Sequence, residues 1–322
     1  MYLDFFGLRL EPFATTPDPQ FLFKSKVHQA ALDRLVAAIT MRRGINAIIG
    51  EPGLGKSLLI RTTLQGFSER VRFAWVFNTN LDSRELIKYI CRDFGFTPQG
   101  EDLSDLLVEL YSFLIKSYEE GLYTVLIVDE AQNCRFEQLE EIRQLSNLET
   151  CRNKLLQIIL SGQPQLDVNL EAPAMHQLKQ RISLKAVLQR LDEADTRHYI
   201  SHRIKIAGCR EPDVFSKAAL KKIYEITDGV PRLINQVCDN ALLEAFQQKT
   251  KSVDAVIIQE LLSSNKVTSA RAKLPVSLSK PSDHTQANAS AAVPARAAKR
   301  NRQPIYQLES AGEFSGIDVE NL

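Results

Sequence analysis

Residues Gly50-Glu51-Pro52-Gly53-Leu54-Gly55-Lys56-Ser57 match the pattern G-x-x-x-x-G-K-[ST], and no other feature of the chain restricts its fold as much. The pattern has meaning only between a strand and a helix, and both flanks fit. Ile45–Ile49 is a short apolar run ending at Gly50, and apolar residues recur at helical spacing after Lys56. The glycines permit backbone angles that a side chain would forbid, so successive N–H groups can turn inward around phosphate oxygens. A helix opening at Lys56 points the positive end of its dipole at the same place. Lys56 is expected to reach the β- and γ-phosphates and Ser57 to offer its hydroxyl to Mg²⁺. The whole loop from Gly50 to Leu58, with Glu51, Pro52 and Leu54 between the glycines, is thus expected to bind ATP with Mg²⁺.

A second segment supplies the complementary chemistry. Val125-Leu126-Ile127-Val128 reads as a buried strand, and Asp129-Glu130 emerge at its C-terminal end, where open α/β sheets bind ligands. Asp129 is expected to hold Mg²⁺ through water, and Glu130 to act as general base on the attacking water.

Strand and helix patterns alternate through the first part of the chain. Strands are expected at Ile45–Ile49, 72–77, Tyr123–Val128, 155–160 and 182–188, and helices at 81–94, 103–118 and 136–148. Runs apolar on both faces suit a parallel five-stranded sheet with helices on each side. From Asp192 the pattern is wholly helical, over 192–208, 216–227, 231–248 and 254–264. The expected organisation is an αβ domain over 1–190, a small all-α domain over 191–265, and a tail over 266–322. Residues 266–304 are rich in Ala, Ser, Pro and Lys and carry eight basic residues against one acidic, a composition that reads as disordered linker. Residues 305–322 carry four acidic residues and no base, and read as a free tail or a short docking peptide.

Composition excludes several classes. With 44% apolar and 25% charged residues the chain is ordinary and globular, and its +1 net charge names no partner. No apolar run reaches membrane-spanning length, and the start has no charged region followed by an apolar stretch. The five cysteines are scattered and never in C-x-x-C spacing, which argues against a zinc site or a disulfide scaffold and favours a cytoplasmic setting.

The two motifs, the helical region behind them, and the opening Phe6-Gly7-Leu8…Pro12-Phe13…Pro17-Asp18-Pro19…Phe21 resemble the AAA+ ATPases of the ExeA/GspA type, in their soluble MshM-like branch. Asp129-Glu130-Ala131-Gln132, Ser161-Gly162-Gln163-Pro164 and Gly229-Val230-Pro231-Arg232 narrow the likeness from P-loop NTPases in general to this group. The likeness covers about residues 1–265. It implies a P-loop αβ domain followed by an all-α lid, and a further set of roles. Gln163, with Ser161 as a rival, takes the place of a polar sensor of the γ-phosphate; a plain turn at Gly162 and Pro164 is the other reading. Arg181 matches the arginine finger that enters a neighbouring subunit's site, or is a surface residue at a helix end. Arg232 matches the sensor that brings the lid onto the γ-phosphate, or caps its helix. Asn78 takes the place of a residue that holds Glu130 until a partner arrives, or is a plain strand-end residue. The aromatic opening would pack beside the adenine near Phe21–His28, with most of its phenylalanines in the core and His28 a helix residue rather than a catalyst.

The resemblance implies ATP hydrolysis in a homo-oligomeric ring, with a hexamer as the expected size. Its task would be to assemble or regulate an envelope machine: a secretion, type IV pilus or polysaccharide-export apparatus. The polar end of the chain, where secretion-type relatives continue into a membrane span, favours a cytoplasmic protein, free or peripheral to the inner membrane. The alternative is a DNA-binding AAA+ regulator of the TnsC/TniB transposition type, for which the basic segment would neutralise phosphates. A nucleotide-gated scaffold without turnover is the third reading, and Glu130 and Arg181 argue against it.

Overall fold

The computed structural model of the chain describes residues 2–77, 81–209 and 214–264. Asn78 and the segments 266–304 and 305–322 lie outside the described residues. Two helices, α1 (Tyr2–Phe6) and α2 (Lys26–Thr40), precede the first strand, β1 (Ile45–Ile49). Then come α3 (Lys56–Gly66), β2 (Val71–Val76), α4 (Ser83–Asp93), α5 (Leu103–Glu119), β3 (Tyr123–Val128) and α6 (Phe136–Leu145). They are followed by β4 (Leu156–Gly162), α7 (Pro164–Leu170), α8 (His176–Arg181) and β5 (Ile182–Val187). Four helices complete the described chain: α9 (Glu193–Ile206), α10 (Lys217–Thr227), α11 (Pro231–Gln247) and α12 (Ala255–Ser263).

The five strands form one sheet in the order β2-β3-β4-β1-β5, and every neighbouring pair is parallel. Successive side chains leave opposite faces of a strand, so each strand feeds two cores. On one face, Ile45, Ala47 and Ile49 of β1, Leu126 and Val128 of β3, and Leu156, Ile158 and Leu160 of β4 pack with apolar residues of α4, α5 and α6. On the other face, Ile48, Val125, Ile127 and Ile159 pack with α2 and α3. This is why β1 and β4 are buried along their whole length and lack any polar–apolar alternation. The chain runs from β1 to β2 at the far edge of the sheet, which leaves a crevice beyond the C-terminal ends of β1, β3 and β4.

The elements follow their sequence signals closely. Differences fall at the ends: α6 stops at Leu145 rather than 148, and β4 extends through Ser161 and Gly162, which pair with Ile48 and Ile49. Helices α1, α2, α7 and α8 are additional to the expected set, and of these α7 and α8 are short and carry no long apolar stripe. Helix starts have their local reasons. Asp82 caps α4 in a reciprocal box with Glu85, and Asp192 and Asp254 cap α9 and α12 by accepting N–H bonds in the first turn.

A third core joins α9–α12 to the opening segment. Phe6, Leu8, Phe13 and Phe21 are buried there with Ile200, Ile234, Leu242 and Ile258. The opening, grouped by sequence with the sheet, thus packs on the helical part. Arg203 of α9 fixes it: the guanidinium is buried, donates to the Pro12 carbonyl and to Tyr199 Oη (3.0 Å), and lies 4.7 Å from the Phe21 ring centre. The Arg9 N–H adds a bond to the Ala207 carbonyl (2.7 Å).

The passage from sheet to helices is tight at Gly229. Its φ is +70°, and a Cβ there would lie 1.8 Å from the Leu191 carbonyl oxygen. Backbone bonds cannot yield at that distance, so Gly229→Ala should destabilise the protein by more than about 2 kcal/mol. Chemical denaturation would read this, and a midpoint equal to wild type would show that the joint is looser than described.

Candidate nucleotide site

The loop after β1 lies across the sheet's crevice. Gly53 and Gly55 have φ of +83° and +90°, in the left-handed region that the spacing of glycines anticipates. Gly55 caps α3 with no side chain of its own, which leaves the first N–H groups of the helix directed at the crevice. Leu54 is buried against Leu188 and Val230 and anchors the loop's tip. Pro52 is exposed, and Leu58 is half-buried beside the same core. Lys56 is buried, and its ammonium donates to the carbonyls of Gly50 (2.7 Å) and Glu51 (3.2 Å). Burial pulls its pKa down, against the opposing pull of Glu130 and Asp129.

Asp129 sits where three elements meet. Oδ2 accepts from Ser57 Oγ (3.1 Å), and Oδ1 accepts from Ser161 Oγ (2.7 Å) and the Glu130 N–H (3.0 Å). Glu130 turns away from this strand direction with φ 48° and ψ 40°. Its Oε2 accepts from two amides, Gln132 Nε2 (2.6 Å) and Gln163 Nε2 (3.0 Å). Burial alone would raise the Glu130 pKa, but the two amide donors and the Lys56 charge together hold it below the usual glutamate value. The hydroxyl of Ser57 beside the carboxylate of Asp129 is an all-oxygen set of the kind that suits Mg²⁺, which keeps several waters and takes few protein ligands.

The helical part closes on the loop from the other side. The Arg232 N–H donates to the Gly53 carbonyl (3.2 Å), and a Cβ on Gly53 would come within 2.8 Å of Arg232 Cβ. Arg190, between β5 and α9, donates Nε (2.9 Å) and Nη2 (2.5 Å) to Glu51 Oε2 and Nη1 to Asp228. One guanidinium thus joins the loop to the turn that precedes α11.

Of the residues singled out by sequence, the structure groups Gly50 to Leu58, Asp129, Glu130, Ser161, Gln163 and Arg232. Ser161 and Gln163, rivals in the sequence, divide the work: one bonds Asp129, the other Glu130. Arg181 is not in the group. Its successor Ile182 pairs with Ile45 at the start of β1, a strand length of about 16 Å from the loop, and Arg181 donates to Ser146 Oγ (3.1 Å) and to Asn147. Sequence reasoning missed Arg190, for which no pattern exists, and gave Gln132 no role. It lies two residues beyond the acid pair, and only the turn at Glu130 folds it back.

Known proteins decide the family. An AAA domain profile matches residues 39–170. General secretion pathway protein A of Aeromonas hydrophila is 36% identical over 254 residues, spanning 79% of this chain and 46% of that protein. The chain belongs with the AAA+ proteins of this type. It spans about half the length of that curated relative. The ORC2 protein of Aeropyrum pernix and Cdc6p of Pyrobaculum aerophilum share the fold, each with a TM-score of 0.60 and 20% identity. The alignments cover 79% and 80% of this chain and 71% and 70% of theirs. Among the described residues no helix is long and apolar enough to cross a membrane, and no group of three or more His, Cys, Asp and Glu could hold a metal.

A histidine of α2 touches the loop in this AAA+ protein. His28 is buried, with Nδ1 2.8 Å from Ser25 Oγ and Nε2 3.1 Å from the Leu54 carbonyl. The carbonyl can only accept, so Nε2 carries a proton, and the proton that titrates is the one on Nδ1. Burial is the main cause that lowers its pKa. The folded state therefore binds this proton less readily than the unfolded chain, where the value is about 6.5. The resulting stability is present above that pH and lost as pH falls below it. His202 is lowered by burial as well and adds a share of the same sign. The stability advantage of wild type over His28→Gln should shrink as pH falls from 7.5 to 5, in thermal melts at matched ionic strength. A gap independent of pH would mean that His28 takes up its proton equally in the folded and unfolded states.

Proposed function

We propose that the protein binds and hydrolyses ATP in a homo-oligomer, as the motor or switch of an envelope machine for secretion, type IV pilus assembly or polysaccharide export. The observation that carries the enzymatic part is the meeting of the Lys56 loop with the Asp129–Glu130 pair across one crevice. The envelope role rests on the likeness to general secretion pathway protein A.

Each residue has a part in this reading. The N–H groups from Gly50 to Leu58 and the ammonium of Lys56 grip the β- and γ-phosphates. Ser57 and Asp129 would hold Mg²⁺, which supplies positive charge to the phosphate oxygens. Glu130 takes a proton from water as the water oxygen bonds to the γ-phosphorus; the bond to the bridging oxygen breaks, and ADP and phosphate leave. Gln163 and Arg232 contact the γ-phosphate from β4 and from the lid. The chain divides for this purpose into the sheet domain and the helical lid, with the opening segment riding on the lid. Arg181 works on the neighbour's site in a ring, with six subunits as the expected size. Its guanidinium suits that task through permanent charge and a planar fork of donors. A DNA-binding regulator gains no support from the site, since its case rests on the basic segment outside the described residues.

Three variants test the reading. Lys56→Ala should lower ATP affinity on the order of 100-fold, because a bond to a charged partner disappears. Glu130→Gln should bind ATP and lose turnover by about 10²–10⁴-fold. Arg181→Ala should also bind and hydrolyse poorly, and mixing it with Glu130→Gln protein should restore activity through hybrid sites. Phosphate release and equilibrium binding of a fluorescent ATP analogue measure all three. Tight binding by Lys56→Ala would remove the nucleotide assignment, and absence of restoration in the mixture would remove the shared site.

A further inference from the structure

We propose that Gln132 is the positioning residue for Glu130, an inference that rests on Glu130 being the general base. Gln132 lies in the turn after β3, and both ends of its side-chain amide are committed. Oε1 accepts the backbone N–H of Gln163 (3.0 Å), and Nε2 donates to Glu130 Oε2 (2.6 Å). The first bond fixes the second: an amide whose oxygen faces a backbone N–H must present its NH₂ group at the other end. The backbone of this turn is held separately, by Asn169 Nδ2 on the Gln132 carbonyl (3.1 Å). Gly162 leaves room for the arrangement, since a Cβ there would lie 3.1 Å from Gln132 Oε1.

The need for such a holder comes from Glu130 itself. A residue other than Gly with φ near +50° is uncommon and persists where its surroundings favour it. Its side chain has no place in the buried strand and depends on polar partners for direction. Gln163 is the second partner, but in the proposed mechanism its amide turns to the γ-phosphate. Gln132 cannot follow, because its oxygen is engaged at the first turn of α7. It is the fixed arm of a two-armed clamp, and Gln163 the exchangeable one. The charged groups around Glu130 are Lys56 from α3 and Asp129 from the end of β3. Neither replaces an amide donor on Oε2.

Two variants of the full chain separate direction from packing. Gln132→Met keeps the volume and loses the donor. Gln132→Glu keeps an acceptor for the Gln163 N–H but sets a second carboxylate beside Glu130. Gln132→Met should lower kcat about tenfold at pH 7.5 and leave ATP affinity within about twofold. Gln132→Glu should lower kcat at least as far, because its carboxylate offers Glu130 no donor and repels it. A role in packing alone would not separate kcat from ATP affinity. Wild-type kcat in both variants would overturn the proposal, as would a loss of ATP affinity that matches the loss of kcat. Turnover of Glu130→Gln at the wild-type rate would remove the general base itself. A Gln132→Met enzyme like wild type, beside a dead Glu130→Gln, would overturn only the part given to Gln132.

Discussion

The carboxylate of Asp129 holds the crevice together. It ends β3, yet its oxygens accept hydroxyl hydrogens from Ser57 at the head of α3 and Ser161 near the end of β4. Three segments far apart in the chain are registered on one side chain. The arrangement needs parallel strands, because only then do the C-terminal ends of β1, β3 and β4 open on the same side. It also needs burial, since a carboxylate shared by two hydroxyls is worth far more away from water than at the surface. Shifting β3 by one residue would turn Asp129 to the opposite face and send both hydroxyls elsewhere. The burial of both faces that fixes the strand between the two cores therefore also fixes the site.

The lid is coupled to the same loop by contacts of a different kind. Gly53 and Gly229 lack side chains where the two parts come closest, so backbone meets backbone or Arg232 directly. Around this joint Arg190 bridges Glu51 and Asp228. Those three groups are partly exposed, and each ion pair taken alone contributes little to stability. Their value is geometric: the planar guanidinium sets the Glu51 carboxylate of the loop against Asp228 in the turn before α11. The opening segment belongs to the helical side of this joint, because Arg203 and four buried aromatic and aliphatic residues tie it to the helical core.

The sheet and its helices were legible because their information is local and repeated. Continuous apolar runs, Asp caps and a glycine-rich loop sit within a few residues of the structure they specify. Strand ends were less legible. Ser161 and Gly162 look like turn residues, but their partners Ile48 and Ile49 extend the ladder by two places. The packing of the opening on the lid could not be read at all, for it depends on a buried Arg203 nearly two hundred residues away. The same holds for Arg190, whose partners come from the loop and the lid turn. Loop and acid pair were read from motifs. The second layer around them, which comes from tertiary placement, was not.

Adjacent carboxylates with opposite surroundings give the site its chemical asymmetry. Asp129 continues the strand direction and faces hydroxyls, which orient it without taking up its charge. Glu130 leaves the strand through a left-handed residue and faces amides, which donate to one oxygen and stabilise the ionised form. A pair of acids placed alike would compete for protons and for cations. In the proposed mechanism, separating them by one backbone reversal is what gives one the part of ligand and the other that of base, within two residues of chain. Lys56 is near enough to both that the two carboxylates oppose the fall that burial imposes on its own pKa. The backbone conformation of Glu130 is thus more than a local irregularity: without it both side chains would lie on successive faces of a buried strand, and the second would have no amide to meet.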